Sequence, residues 1–393
     1  MVVVTDPAAL KQLFTGDPTV FLGGEAAAKL LPILGDGSIL LADGEQHLRR
    51  RRRLLPVLHG EALAAHATWI AELVERECDR WPLGRPVALL PYTRRIAFAV
   101  IVRLVLGPME QPRVEDLQTR LTRMLTGISG FASWYPRPAR WFAPRWPWKQ
   151  LERQRDAVDE LLLEEIWEHR YRRSDVVTTS ALAVLVDGAS DIPTPTAAEL
   201  CDELRSLLIV GYETTAAALA WAMTELARAP RVVEHLRADR AGGSERYLHA
   251  VIEETLRLHA PVVDAVRMLA EPVELNGVPL PAGTIVMAAL PLVHRQPALF
   301  ADPEAFCPQR FCGGRPGGHS YVPFGGGVRR CLGASLAILE LRVALTVVLD
   351  RFRLRPGRSE PERARLMGTT LIPAAGAKII LERRNATERS QSV

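Results

Sequence analysis

The chain has 393 residues, 48% hydrophobic and 24% charged, a globular composition long enough for a large core. Its 49 basic and 45 acidic residues leave a net charge of +4, too weak for a nucleic-acid-binding surface over the whole chain. Without a signal-like start, about 18 uninterrupted apolar residues, or regularly spaced cysteines, the sequence predicts a cytoplasmic protein with no membrane span, disulfide framework or structural zinc.

The opening VVVTDPAALKQLF predicts a strand and a helix. Residues 45–81 and 149–173 repeat apolar positions every three or four residues, which predicts helices. Between them, WYPRPARWFAPRWPW at 134–148 carries too many prolines for a helix and is expected to be a loop that caps something. The most apolar helical run covers 196–229 and belongs in the core. Its start is marked by Thr194 before Pro195 and by the capping-box spacing of Thr196 and Glu199. Later, AVRMLAEPVELNGVPLPAGTIVMAAL at 265–290 holds Asn-Gly and Pro-Ala-Gly turns and predicts a small hairpin-built sheet. A further strand pair is expected in LIPAAGAKIILER at 371–383, and a frayed tail at 385–393. The expected fold is mainly α with a minor β portion and one long central helix, in a single domain over 1–393.

FGGGVRRCLG at 324–333 surrounds Cys331 with glycines and arginines just before an apolar helix. Unpaired N–H groups, the helix dipole, Arg329 and Arg330 would all lower the thiol pKa, so a thiolate is expected. A phosphatase would need an arginine about six residues on, where Ala337 stands. No Gly-Lys-Ser/Thr follows the glycines, and nothing local identifies a paired histidine for a protease. What remains is an axial ligand to haem iron, with glycines letting the loop lie against the macrocycle.

Phe324, Gly327, Arg329, Cys331 and Gly333 satisfy Phe-x-x-Gly-x-Arg-x-Cys-x-Gly, and in this the sequence resembles the cytochrome P450 family. VGYETT at 210–215 resembles that family's oxygen-activation motif, with Val210 at a position usually held by Ala or Gly. The resemblance implies that Gly211 gives oxygen room and that Glu213 and Thr214 relay protons. Glu254 and Arg257 match the family's Glu-x-x-Arg, and Arg310 its third partner, in a structural role. His47 and Arg51, at i and i+4 on one helix face, match the family's propionate pair, with Arg267 and Arg329 as further propionate partners.

The resemblance covers nearly the whole chain, apart from an N-terminal family segment that looks shortened. It implies haem b with Cys331 as the iron ligand and O2 as co-substrate. Electrons would come from NAD(P)H through a ferredoxin reductase and a ferredoxin, which the other arginines of 49–53 and Arg330 would dock. The expected enzyme is a monomeric monooxygenase that hydroxylates, epoxidises or couples a mostly apolar small molecule, in natural-product biosynthesis. A peroxide-driven peroxygenase of the same fold and a non-catalytic haem or ligand sensor are the alternatives. Substrate contacts implied by family position are Phe21, Leu22, Leu34, Ile39, residues 134–148, Leu208, Ile209, Val262, Val263, Leu371 and Ile372. Asp264, a carboxylate in an apolar run, is a candidate for a substrate amine or hydroxyl.

Overall fold

The structure, a computed structural model, describes residues 1–30, 34–128, 146–171, 180–187 and 195–384. Thr194, the tail at 385–393 and the expected loop as far as residue 145 lie outside them. The chain runs β1 (Val2–Val4), α1 (Pro7–Thr15), β2 (Phe21–Leu22), α2 (Gly23–Leu30), α3 (Gly44–Leu58), α4 (Gly60–Ala64) and α5 (Ala67–Cys78). It continues through β3 (Pro86–Ala88), α6 (Leu90–Val105), α7 (Gln111–Ile128), α8 (Trp146–Tyr171), α9 (Ala181–Asp187), α10 (Ala197–Arg228), α11 (Pro230–Ala241) and α12 (Arg246–Leu258). The C-terminal part holds β4 (Asp264–Leu269), β5 (Val273–Leu275), β6 (Val278–Leu280), β7 (Ile285–Ala289), α13 (Leu290–Val293), α14 (Ala334–Arg351), β8 (Phe352–Pro356), β9 (Ala364–Met367), β10 (Thr370–Pro373) and β11 (Lys378–Arg383).

Two expectations change in detail. The periodic stretch 45–81 is divided into three helices, with His59 extended and Gly60 at φ 68° between the first two. Residues 146–148, read as loop, form the first turn of α8, where a proline lacks no hydrogen bond that a helix would use.

The long helix α10 begins as its sequence requires. Glu199 N–H donates to Thr196 Oγ1 at 3.2 Å, and Thr196 N–H donates back to Glu199 Oε2 at 2.9 Å. By length and composition α10 could cross a membrane, but 78% of its most apolar window is buried against protein. Alanines 216, 217, 218 and 220 are all buried, and α10 packs along α6 over much of its length. One contiguous apolar cluster reaches from Leu34 to Leu381 with α10 inside it.

The four-stranded sheet has the order β1-β7-β4-β2, with β1 parallel to β7 and the other pairs antiparallel. The Asn-Gly turn joins β5 to β6, with Asn276 at φ 48° and Gly277 at φ 80°, the two left-handed residues a type I′ hairpin needs. Strands β3, β11 and β8 form a second sheet, and β9 and β10 pair as a hairpin. The first sheet presents Arg267 from β4, while α14 begins three residues after Cys331.

Candidate functional site

The cysteine loop is shaped by backbone rather than by side chains. Gly325 and Gly327 adopt φ 64° and 65°, conformations that L-residues rarely reach. A Cβ on Gly327 would lie 1.6 Å from the Phe14 carbonyl oxygen of α1. Cys331 N–H donates to the Phe324 carbonyl at 2.9 Å, and Arg330 N–H to that of Gly327 at 3.0 Å. Gly327→Ala is therefore expected to lose about 1–2 kcal/mol from the left-handed backbone and a further ~1–3 kcal/mol from overpacking. Gly318→Ala, at φ 68° but with open space around the added Cβ, should show only the first loss in parallel thermal melts.

Cys331 keeps exposed surface. Burial of its surroundings pushes the thiol above its ordinary pKa, outweighing the Gly333 N–H and the charges of Arg330 and Arg51. Helix dipole and arginines favour ionisation, but desolvation is larger, and a bound metal cation is what would complete it.

Four cationic or ionisable side chains converge beside this loop. His47 is buried on α3, pushed down to about 4 by burial and then by Arg329 and Arg51, and is neutral. Arg51, one turn further on, lies close enough to Cys331 for each to act on the other's ionisation. Arg329 pairs with Asp43 at 2.5 Å and also donates to the carbonyls of Leu40 and Ala42. Asp43 in turn accepts from the N–H groups of Gly23, Gly24 and Glu25 at 2.8–2.9 Å, which orients it at the start of α2. Arg267 is 8% exposed, donates to the Val266 carbonyl at 2.7 Å, and has no ion-pair carboxylate among the described residues. Burial and Arg329 push it down to about 10, still cationic at neutral pH.

Arg329 alone pairs with Asp43, while Arg51 and Arg267 have no ion-pair carboxylate among the described residues, an arrangement that asks for an anion. A flat macrocycle with two propionates and an iron for Cys331 fits this donor set. His47, Arg51, Arg267 and Arg329 would hold the propionates, with Phe324 partly buried at the loop's start.

Helix α10 presents its motif on two faces. Val210, in the middle of the most buried helix, is 40% exposed, and Thr214 lies one turn on, its hydroxyl donating to the Val210 carbonyl at 2.8 Å. Gly211 points elsewhere. A Cβ there would meet Ile101 Cδ1 of α6 at 2.5 Å, so glycine at 211 permits the close α6–α10 crossing, and Val210 is the residue on the open face. Glu213 is buried and clamped by Arg94 of α6, Oε1 lying 2.5 Å from Nη2 and both oxygens 3.0 Å from Nε. Arg94 and Asp43 were not singled out from sequence. Arg94 sits in an apolar helix 119 residues before its partner, and only the charge interrupting that helix could have drawn notice.

The Glu254, Arg257 and Arg310 network is assembled as expected. Glu254 and Arg257 are fully buried and joined by bonds of 2.7 and 2.9 Å, and Arg310 Nε reaches Glu254 Oε1 at 3.1 Å. Arg257 also donates to the carbonyls of His294, Pro303 and Ala305. His294 Nε2 accepts from Val322 N–H at 3.0 Å, tying this network to the approach of the cysteine loop. Burial, then Arg257, pushes His294 down to about 3. The unfolded chain therefore binds the extra proton below its ordinary pKa near 6.5. Stability should fall as pH drops from about 6.5 towards 3, by at most ~1.4 kcal/mol per pH unit for this group. Urea titrations at several pH values should show a shallower slope for His294→Gln.

Several expected substrate contacts are core instead. Leu208 is fully buried, Leu34 and Ile372 are 1% exposed, and Phe21 packs with the first sheet. Leu22, Ile209, Val262, Val263 and Leu371 keep partial exposure. Asp264 is half-buried, has no ion-pair partner among the described residues, and is raised in pKa by burial.

Comparison with known proteins agrees with this geometry. The family model described as Cytochrome P450 matches residues 1–381. Cytochrome P450 135B1 of Mycobacterium bovis is 38% identical over 400 residues, covering 100% of this chain and 84% of its own. Cytochrome P450 137 of Mycobacterium tuberculosis is 33% identical, covering 96% of this chain and 79% of its own. A cyanobacterial CYP120A1 structure with retinoic acid bound superposes with a TM-score of 0.85 at 23% identity, over 97% of this chain and 89% of that one. With a family model spanning almost the full length and relatives matched from end to end, the chain belongs to the cytochrome P450 family, haem-thiolate monooxygenases that act on O2.

Proposed function

We propose that this monooxygenase works as a single domain and oxidises a mostly apolar small molecule in natural-product biosynthesis, using electrons from NAD(P)H delivered by a ferredoxin reductase and an iron–sulfur ferredoxin. The observation that carries the cofactor assignment is the surplus of buried arginine charge beside accessible Cys331. Bound there, haem supplies the activation of O2 and the transfer of one oxygen atom to an unactivated bond.

The chain's own residues supply protons, charge balance and shape. Thr214 spends its hydroxyl hydrogen on the Val210 carbonyl and so offers its oxygen as an acceptor on the open face. Glu213 can exchange protons only by leaving Arg94, which makes Arg94 its positioning residue. Val210, Val262, Val263 and Leu371 would give the substrate an apolar enclosure, with Asp264 the polar group that selects an amine or hydroxyl. On the outside, Arg49, Arg52 and Arg330 are exposed. An acidic redox protein would be steered to them.

Reconstituted turnover tests this reading. Glu213→Gln is expected to lower kcat by roughly 10²-fold, the lower end for a lost proton-transfer group, with substrate binding unchanged. Thr214→Ala should raise reductant consumed per product. Full activity of both variants, or wild-type turnover on peroxide alone, would remove the assignment. Asp264→Asn with unaltered substrate affinity would remove that contact alone.

A further inference from the structure

The five arginines of α3 divide between two places. Arg51 faces the cysteine loop, whereas Arg49, Arg50 and Arg53 line a separate cavity of about 410 Å³ between α3, α9 and the first turns of α10. Arg50 and Arg53 are fixed there by neutral groups. Arg50 Nη1 donates to the Gly37 and Asp36 carbonyls, and Arg53 donates to those of Val184 and Leu185 at 3.2 and 2.6 Å. Neither has a carboxylate within ion-pair distance among the described residues, so both guanidinium groups are held in place by neutral carbonyls.

Glu203 of α10 also lines the cavity and is 4% exposed. Its Oε2 accepts from Ile39 N–H at 2.7 Å, while Oε1 is buried without a hydrogen-bond partner among the described residues. A buried carboxyl oxygen left unsatisfied is costly unless a ligand meets it. Burial pushes Glu203 up to about 7, so near neutral pH it can donate or accept. The remaining carboxylate, Glu199, is already engaged as the α10 cap. Arg49 pairs with Glu45 at 3.7 Å, and Arg50 acts by charge on Glu199 and Glu203, which leaves Arg53 and the outer side of Arg50 for an anion. Leu54, Leu185, Leu200 and Pro195 form the apolar part of the wall.

We propose that this cavity is a second small-molecule site, for an organic anion whose carboxylate or phosphate head meets Arg50 and Arg53 and whose apolar body lies against Pro195. The volume falls within the range of small-molecule pockets. Fixed guanidinium groups suit planar or tetrahedral oxyanions. The site shares α3 with the haem-holding residues but none of their side chains.

Calorimetry on the purified holoenzyme, with its iron saturated by imidazole, tests the proposal using decanoate and decyl phosphate as probes. One saturable equivalent should bind. Its affinity should drop roughly tenfold or more in the double variant R50Q/R53Q, the scale of one lost charged hydrogen bond. The tighter of the two probes identifies the head group. No saturable binding of either probe, or equal affinity in wild type and R50Q/R53Q, would overturn the site. Because heat is read rather than turnover, neither result depends on the redox partner or substrate.

Discussion

Arg257→Ala should fail to accumulate as a folded protein. Its guanidinium is fully buried, holds Glu254 through two bonds, and satisfies three backbone carbonyls between 294 and 305. Breaking a buried pair by removing one partner costs about 3–5 kcal/mol, and each carbonyl left unpaired about 1–3 kcal/mol more. That total rivals the whole stability of a typical domain, about 5–15 kcal/mol. Arg257→Lys should rescue little, since an ammonium cannot span the carboxylate and the carbonyls together. Far-UV circular dichroism and thermal melts check this, and a melting temperature within a few degrees of wild type would contradict it.

Arg267→Leu should move two quantities in opposite directions. In the protein without haem, Arg267 is a buried cation beside Arg329, so an apolar replacement removes a desolvated, repelled charge and should raise the stability of the apoprotein. In the holoprotein the same substitution removes a charged partner of a propionate and should weaken haem retention by roughly 10–100-fold, from about 1.5–3 kcal/mol for such a bond. Unfolding of the apoprotein and transfer of haem to an acceptor protein measure the two effects separately. Lower apoprotein stability combined with unchanged haem loss would show that Arg267 serves only the sheet.

Local signals in the sequence located much of this. The α10 capping box, the Asn-Gly hairpin and the i, i+4 pairing of His47 and Arg51 depend on neighbours within four residues, and each takes its expected place. The cysteine loop was equally legible, because positive-φ glycines and a following helix are local properties. Long-range pairings were not legible in that way. Nothing near Glu213 announces Arg94, and nothing near Arg329 announces Asp43, 286 residues earlier. The packing of Gly211 against α6 was not legible for a related reason. Which face of a buried helix meets α6 and which stays open depends on packing, and only the Ile101 contact distinguishes Gly211 from Val210. Burial, a property of the whole fold, raises the Cys331 thiol against the pull of its local charges.

The most direct measurement is the absorption spectrum of the reduced holoprotein under carbon monoxide, wild type against Cys331→Ser. A thiolate ligand from Cys331 predicts that wild type shows the long-wavelength Soret band of haem-thiolate proteins and that the serine variant loses it, whether or not it still retains haem. An identical spectrum in the two proteins would contradict Cys331 as the iron ligand.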